Sequence, residues 1–532
     1  MKKDKSLLVK IGLGILGTAP LMITEGCYGN KEIKPNVIFF LVDDLGWTDL
    51  GCYGSSFYET PNIDKFASEN VRFTSAYAAC HVSSPTRASI LTGKYPATIN
   101  MTDWLPGRKD FPFQRLANVE VNQHLPYGEI TIAEALKADG YATAIFGKWH
   151  LGEDPSSPMK HGFDVHVPNW AKGWPNGGYY HPFKLEGLES REGDYLTDRL
   201  TDEALDWIES NKGKPFFLYL SHYAVHDPIN GRPDLVKKYQ EKLGNILKKE
   251  GEPFLLEGNP DSGNPVSIEE AQRMLSEKEY EGYSQLPQQM VKVKQFQDNV
   301  HFAAMVESMD ESFGRVMGKL QELGLENNTI VIFFSDNGGM AAANFGNPQR
   351  VVTSEQLDRA FSTANLPLRG AKGWLYEGGI RVPLIVKWPG SKLKETVCDV
   401  PVISVDFYAT ILDMLGGKVP EDHKVDGVSL VPLLLGEGSL ERDAIYWHFP
   451  HYSNHGMQSP GGAIRWGDYK LIEYYENGTV QLFNLKNDIG EQHEISTVNP
   501  EITLKLKNEL HDWRARINAH MMELNPNYQP GI

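Results

Sequence analysis

Short, uniformly apolar segments recur along the chain, and they constrain its fold more than any other feature. Residues 37–42 and 329–334 are rich in β-branched and aromatic side chains and lack the polar alternation of a half-exposed strand. Such segments are typical of strands that are buried on both faces. Segments 141–146, 216–220 and 382–386 have the same character. The pattern therefore predicts a central sheet that is covered on both sides.

Helical patterns lie between these segments. Met305, Met309, Phe313, Val316 and Leu320 are three or four residues apart, which places them on one face of an amphipathic helix. Strands that alternate with helices favour an α/β fold with a mostly parallel sheet flanked by helices.

The composition of the chain and its pattern of predicted elements change in two places. Residues 244–297 are polar and predict an insertion over the sheet. Beyond residue 426, candidate strands at 466–472 and 479–485 precede a helix near 502–517. We therefore predict a catalytic domain at 34–425 and a smaller antiparallel α+β domain at 426–532.

Residues 1–27 have the pattern of an export signal. Three lysines among the first five residues precede an apolar stretch at 11–23, too short to span a bilayer but suited to a signal-peptide core. Gly26-Cys27 resembles a lipoprotein cleavage site and predicts a lipid anchor at Cys27; secretion without an anchor is the alternative. The expected location is the periplasm or the outer-membrane surface.

The net charge of -17 restricts the partners of the chain. So acidic a protein is a poor general binder of nucleic acid or anionic membranes. An anionic substrate is not excluded, because a few local cations set the sign of a pocket when distant charges are screened.

Polar residues follow several of the predicted strands. Asp43-Asp44, Lys148 with His150, His222 with His226, and Asp336-Asn337 each come directly after an apolar segment. In open α/β sheets, ligands bind beyond the carboxyl ends of the strands. These side chains are therefore expected to converge.

The two acidic pairs predict a metal site. Asp43, Asp44, Asp336 and Asn337 offer oxygen ligands only, which suits calcium or magnesium. Either pair alone is as typical of a turn or a helix cap. Two pairs at matched strand ends favour the metal.

The segment 83–94 reads as a turn that enters a helix, with Pro85 near the first position. The N-terminus of a helix attracts anions, and Arg87 adds a fixed positive charge. These features predict an oxyanion site.

The spacing within this segment resembles the signature of the type I sulfatase family. The matching residues are Ser83, Pro85, Arg87, Leu91, Thr92 and Gly93. The resemblance implies an alkaline-phosphatase-like fold, and conversion of Ser83 into formylglycine, whose hydrated aldehyde attacks sulfur. A serine at this position is similar to the anaerobic bacterial branch, which implies a radical sulfatase-maturing enzyme as partner.

Other motifs resemble the family in the same order, from about residue 35 to the C-terminus. They are Asp43-Asp44, 147–152, 225–228, Asp336 to Gly339, and Lys372 ahead of 377–383. The resemblance implies a calcium ion bound by Asp43, Asp44, Asp336, Asn337 and the residue made from Ser83.

The resemblance also implies roles for the remaining matched residues. Arg87 orients the nucleophile, Lys148 and Lys372 neutralise sulfate charge, and Asp336 helps to deprotonate the attacking hydroxyl. His150 promotes release of sulfate, and His226 is the general acid. His222 is the alternative acid; His226 is preferred because it carries the proline that follows in the family.

The expected substrate is a sulfated extracellular glycan. Residues 448–452 and 461–465 resemble carbohydrate sulfatases that act on galactose-type 4-sulfates, which implies that His448 and His451 bind the sugar. The aromatic loop 170–180 is a second candidate sugar contact. The alternatives are a phosphomonoester or phosphonate hydrolase of the same fold, and a non-catalytic sulfated-glycan-binding protein if Ser83 is unmodified.

Overall fold

The apolar segment that follows Pro35 forms strand β1 (Asn36–Val42) within an eight-stranded sheet in the computed structural model. The structure describes residues 34–529 except 113, 154, 247–249, 262–284, 287–289 and 344–359. The predicted export signal and the lipid anchor at Cys27 lie outside the described residues. From Lys34 onward the described residues form one compact unit.

The large sheet confirms the predicted α/β architecture. In spatial order the sheet comprises β13 (Thr396–Cys398), β2 (Val71–Phe73), β12 (Leu384–Lys387), β11 (Thr329–Ser335), β1, β7 (Phe216–Ser221), β5 (Ala142–Gly147) and β6 (Val165–Val167). Strands β11, β1, β7, β5 and β6 run parallel in succession, and β12 is antiparallel to both of its neighbours.

Both faces of this sheet are covered, as the uniform apolar segments predict. Successive side chains of a strand point to opposite faces, so Phe40 of β1 packs into one core and Phe39 into the other. Helices Pro61–Glu69, Leu196–Asn211, Pro233–Asn245 and Val300–Glu322 cover the first face. Helices Ser83–Thr92, Ile132–Ala138, Phe407–Met414 and Val431–Leu434 cover the second.

The helix Val300–Glu322 confirms the spacing from Met305 to Leu320. All five apolar residues of that pattern are buried. The helix begins at the side chain of Asn299, whose Oδ1 accepts hydrogen bonds from the amides of His301 and Phe302. Within the described ranges, no helix is both long and apolar enough to cross a membrane.

The smaller sheets complete the fold. β3 (Ala76–Tyr77) pairs with β14 (Val402–Ile403), and β4 (Leu116–Ala117) with β19 (Glu523–Leu524). Described parts of the predicted insertion form the antiparallel strands β8 (Phe254–Glu257), β9 (Gln285–Leu286) and β10 (Met290–Lys294).

The C-terminal region contains the predicted antiparallel sheet. Its strands are β15 (Ala444–Phe449), β16 (Gly461–Trp466), β17 (Tyr469–Tyr474) and β18 (Val480–Asn484), and the helix Pro500–Arg516 packs on it. The single strand predicted at 466–472 is wrong, because a turn with Gly467 at φ +56 divides it between β16 and β17. The domain boundary at 425/426 stays a prediction.

Buried charges join the C-terminal sheet to the large one. Lys470 on β17 lies 3.0 Å from Glu377, in the short helix Glu377–Ile380, and 2.9 Å from Glu491. All three side chains are fully buried. Burial and the charge of Glu377 raise the pKa of Glu491 to about 7, although Lys470 opposes this. Lys470 is therefore a cation shared by the two buried carboxylates, of which Glu377 also pairs with Arg381 at 3.1 Å.

We predict that Lys470→Met destabilises the protein by about 3–5 kcal/mol, because the buried carboxylates of Glu377 and Glu491 lose the cation that they share. Urea denaturation measures this change in the free energy of unfolding. Lys486→Met is the control, since the Lys486 ammonium is 72% exposed and 3.9 Å from Asp468, and should cost less than about 1 kcal/mol. Equal stability of the two variants would contradict the role given to Lys470.

Candidate active site

The carboxyl ends of four parallel strands meet at one edge of the large sheet. Val42 of β1 is in register with Ser335 of β11, and Leu41 with Ser221 of β7. Gly147 of β5 is in turn level with Ser221. The residues that follow these strands are therefore neighbours in space, as the sequence predicts.

Three carboxylates at this edge each lie against a buried cation. The Asp44 carboxylate also accepts a hydrogen bond from Asn337 Nδ2 at 2.8 Å. The side chains of all six charged residues are no more than 3% exposed. The pairs are Lys148 with Asp43 at 2.5 Å, Lys372 with Asp44 at 2.7 Å, and Arg87 with Asp336 at 2.8 Å.

The environments of the adjacent carboxylates Asp43 and Asp44 differ. Burial and the nearby Asp336 raise the pKa of Asp43 to about 6, against the opposing charge of Lys148. Despite burial, Lys372 and His226 hold the pKa of Asp44 well below its ordinary value. Of these two carboxylates, Asp43 is thus the one whose negative charge is less compensated by this chain's own cations.

Two residues of the site have left-handed backbone conformations. Asp44 has φ +59 and His150 has φ +57. Such conformations cost of order 1–3 kcal/mol for residues other than glycine and concentrate at functional sites. Each redirects the chain immediately after a strand, which turns the side chain toward the shared edge.

Ser83 is the first residue of the helix Ser83–Thr92 and is buried. Its hydroxyl lies 3.1 Å from His150 Nδ1 and 3.1 Å from Lys148 Nζ. His150 Nε2 is 2.9 Å from the carbonyl oxygen of Leu105, so a neutral ring carries its proton there and Nδ1 accepts from Ser83. Burial and Lys148 hold the pKa of His150 well below its ordinary value, which keeps the ring neutral.

His226 directs its Nε2 atom toward the site. Nδ1 is 2.7 Å from the carbonyl oxygen of Asp227, and Nε2 is 3.8 Å from Asp44. Although burial and Lys372 lower the pKa of His226, Asp44 and Asp227 outweigh them and raise it. Because Nδ1 faces the Asp227 carbonyl oxygen, Nε2 is the nitrogen that faces the Asp44 carboxylate.

The alternative acid, His222, lies on the opposite face of the sheet. Its Nε2 is 2.9 Å from the hydroxyl of Ser312, and its ring packs 5.1 Å from that of Phe40. The structure therefore brings His226, and not His222, to the cavity that contains Ser83.

The oxygen atoms of the site fit a hard cation. Asp43 Oδ1 and Asn337 Oδ1 are buried and have no hydrogen-bond partner. One carboxylate oxygen of Asp43 and one of Asp44 lie within 4.8 Å of each other. Unpartnered buried oxygens are costly, and a calcium ion coordinated by Asp43, Asp44, Asp336 and Asn337 would satisfy them.

A cavity of ≈ 240 Å³ opens above Ser83. His150, His226 and Lys372 line it, together with Gly173 and Trp174 from the aromatic loop identified in the sequence. Gly173 lies against the His150 ring, where a Cβ atom would approach Cε1 to 2.3 Å. The loop therefore closes over the histidine only because that position has no side chain.

The sequence reasoning missed the lining residues Trp104, Asn454 and His455, and it included Asp227 only as part of the motif 225–228. Trp104, Asn454 and His455 belong to irregular segments with no periodicity or strand-end position to mark them. His455 is buried, and its Nδ1 has no hydrogen-bond partner. The adjacency of Asp227 to His226 was the only signal in the sequence.

His448 and His451 do not line this cavity. His448 uses both ring nitrogens within the protein, 2.7 Å from the Tyr475 hydroxyl and 2.8 Å from the carbonyl oxygen of His520. His451 Nε2 is 2.8 Å from the hydroxyl of Thr102. The sugar contacts predicted for these two residues are therefore not found beside Ser83.

A hydroxyl flanked by an ammonium and a neutral imidazole, beside an oxygen-lined cation site, suits the hydrolysis of an anionic ester. Comparison with known proteins identifies the class. The family model "Sulfatase" matches residues 35–417, and the model "N-sulphoglucosamine sulphohydrolase, C-terminal" matches residues 371–516. The chain belongs to the sulfatase family and is a sulfuric ester hydrolase.

Relatives of similar length support this assignment. A sulfatase from Formosa agariphila is 30% identical over 97% of this chain and 95% of its own length. An N-acetylglucosamine-6-O-sulfatase from Bacteroides thetaiotaomicron is 28% identical over 93% of this chain and 88% of its own. The crystal structure of Ps i-CgsB in complex with k-i-k-neocarrahexaose superposes with a TM-score of 0.67 and 28% identity, over 90% of this chain and 92% of that one.

We predict that calcium raises the melting temperature of the protein and that Asp43→Asn abolishes this increase. A ligand that binds only the folded state at about 100 times its Kd stabilises by about 2.7 kcal/mol. Thermal denaturation with and without calcium, after treatment with a chelator, measures the shift. Asp139→Asn, at an exposed carboxylate, is the control and should retain it. A full calcium response in Asp43→Asn would rule out this ligand set.

Proposed function

We propose that the enzyme hydrolyses sulfate monoesters of extracellular glycans, by means of a formylglycine made from Ser83 and a bound calcium ion. The position of the Ser83 hydroxyl carries the proposal, since it lies 3.1 Å from both Lys148 Nζ and His150 Nδ1. Hydrated formylglycine would supply one hydroxyl that attacks sulfur and a second whose deprotonation allows sulfate to leave. Calcium would supply positive charge toward the sulfate oxygens.

The chain's own cations would complete the sulfate site. Lys148 and Lys372 are buried and lie on either side of the adjacent carboxylates Asp43 and Asp44. Because a buried charge interacts more strongly than a solvated one, two fixed ammonium groups favour an anion as it accumulates charge. Arg87 is held by Asp336 and by the Lys148 carbonyl oxygen, at 3.2 Å from Nη1, and would orient the residue at position 83.

The two histidines divide the proton transfers. His226 carries its transferable proton on Nε2 and would donate it to the sugar oxygen as the S–O bond breaks. His150 offers the unprotonated Nδ1 and would take a proton from the hydroxyl at position 83. Burial and the charge of Lys148 lower the pKa of His150, whereas Asp44 and Asp227 raise that of His226 against burial and Lys372.

The outer part of the cavity suits a sugar ring. Trp174 and Trp104 offer aromatic faces for its apolar side, and Asn454 and His455 offer polar groups for its hydroxyls. The Bacteroides relative is named for a sulfated sugar, and the Ps i-CgsB structure is a complex with a neocarrahexaose. We propose a 4-O-sulfated galactose or N-acetylgalactosamine, although the Bacteroides relative is named for a 6-O-sulfate of N-acetylglucosamine.

The remaining parts of the proposal concern maturation and location. A serine at position 83 calls for an anaerobic radical sulfatase-maturing enzyme as partner. The N-terminal pattern calls for export to the periplasm or the outer-membrane surface, with a lipid anchor at Cys27.

We predict that protein matured with such a radical enzyme releases sulfate from at least one sugar in a panel of position-defined sulfated galactose and N-acetylhexosamine monosaccharides. Ion chromatography of released sulfate measures turnover, and the matching phosphate esters serve as controls. We expect faster release from a sulfate ester than from its phosphate counterpart. The reason is that Lys148 and Lys372 stand where a phosphate-ester hydrolase of the same fold would be expected to keep a second divalent metal set. Faster phosphate release would favour a phosphomonoester hydrolase.

We predict that His226→Ala slows hydrolysis of a sugar sulfate about 10²–10⁴-fold and slows that of nitrophenyl sulfate much less. A sugar alkoxide needs a proton as it leaves, whereas nitrophenolate does not. Steady-state kcat on both substrates measures the difference. His493→Ala is the matched control, since that side chain is 82% exposed. Equal losses on the two substrates would assign His226 to sulfate binding instead.

A further inference from the structure

A buried tyrosine at the end of the aromatic loop bonds to the turn that carries His226. The hydroxyl of Tyr179 donates to the carbonyl oxygens of Tyr223 at 2.7 Å and of His226 at 2.9 Å. The His226 amide donates to the same Tyr223 carbonyl oxygen at 2.9 Å and closes the turn 223–226. Burial raises the pKa of Tyr179 well above its ordinary value, so the hydroxyl keeps its proton at neutral pH. One side chain therefore joins both ends of this turn.

The same turn is bonded to Asp43. The Asp43 amide donates to the carbonyl oxygen of Ala224 at 2.9 Å, and the Val225 amide donates to the carbonyl oxygen of Asp43 at 2.7 Å. Tyr179 and the backbone of a proposed calcium ligand thus hold the turn together. The position of His226 relative to the carboxylates depends on both sets of bonds.

His226 needs this support because no regular element fixes its backbone. It lies in an irregular segment after the end of β7 at Ser221. A general acid must lie within hydrogen-bond distance of the oxygen that it protonates. A displacement of about 1 Å costs as much as about 10²-fold in rate.

Tyr195 makes a comparable bond beside Tyr179. The two rings stack with their centroids 5.8 Å apart, and both are buried in the core on the first face of the sheet. The Tyr195 hydroxyl donates to the carbonyl oxygen of Asn230 at 2.8 Å, four residues beyond His226. The two tyrosines therefore support the same segment, but of the two it is Tyr179 that bonds to His226.

We propose that Tyr179 is a positioning residue for general acid catalysis, since it fixes the backbone of His226 where Nε2 faces the leaving sugar oxygen. This inference rests on the proposed function, in which His226 is the general acid. The aromatic loop then serves both histidines of the site, because its Gly173 lies against the His150 ring.

The test is a double-mutant cycle of Tyr179→Phe and His226→Ala on a sugar sulfate that the matured enzyme hydrolyses. Tyr179→Phe removes the hydroxyl and keeps the ring. With His226 present, we expect kcat to fall about 10-fold, which is a part of the about 10²–10⁴-fold that general acid catalysis supplies. KM should change less, because the proton is needed only as the bond breaks. With His226→Ala, the same substitution should change kcat less than about 2-fold, since the two residues act as one unit.

Tyr195→Phe is the matched control, because it also removes a buried hydroxyl that donates to a carbonyl oxygen. We expect Tyr195→Phe and Tyr179→Phe to lower the melting temperature alike, whereas Tyr195→Phe leaves kcat on the sugar sulfate unchanged. On nitrophenyl sulfate, Tyr179→Phe should also leave kcat unchanged, since nitrophenolate leaves without a proton.

Three results would overturn the positioning role and leave the proposed function intact. They are an unchanged kcat in Tyr179→Phe, an equal loss with and without His226, and an equal loss in Tyr195→Phe. Full activity of His226→Ala on the sugar sulfate would remove His226 as the acid and the role of Tyr179 with it. Failure of the matured wild type on every sulfated sugar would instead overturn the proposed function.

Discussion

The mutual neutralisation of three carboxylates and three cations at one sheet edge is the interaction on which the site depends. Asp43, Asp44 and Asp336 follow adjacent parallel strands, so the register of β1 and β11 forces them together. Without cations, so many buried negative charges would oppose folding. The cations come from elsewhere along the chain, on the helix Ser83–Thr92, after β5 and near the short helix Glu377–Ile380. The chain therefore brings cations from distant segments to the edge where its carboxylates need neutralising.

The same arrangement separates the two ends of a substrate. In the proposed function, the sulfate end combines residues that follow buried strands, such as Asp43 and Lys148, with Ser83 on a helix and with Lys372. The sugar end is formed by irregular segments that carry Trp104, Trp174, Asn454 and His455. In α/β enzymes such loops change without disturbing the sheet.

The parts of the structure that are predictable from sequence are those with a short-range signal. Uniform apolar segments marked the central strands, and the strand-end rule placed Asp43 and Asp336 together. The turn at Gly467 was missed although Gly467-Asp468 is a typical turn pair, because the candidate strand was drawn across it. Asn454 and His455 were missed because their position depends on how the segment after β15 folds back over Lys372. The partnership of Lys470 with Glu377 and Glu491 likewise joins residues far apart in sequence, and no local pattern reveals it.

The central claim is that Ser83 becomes the nucleophile, and mass spectrometry tests it most directly. Protein produced with and without the radical maturing enzyme is measured by intact mass and by mapping of the peptide that contains Ser83, and sulfate release is assayed on the same samples. Our account predicts that activity rises in proportion to the fraction of molecules that have lost two hydrogens at Ser83. Full activity in protein whose Ser83 is unmodified would contradict it.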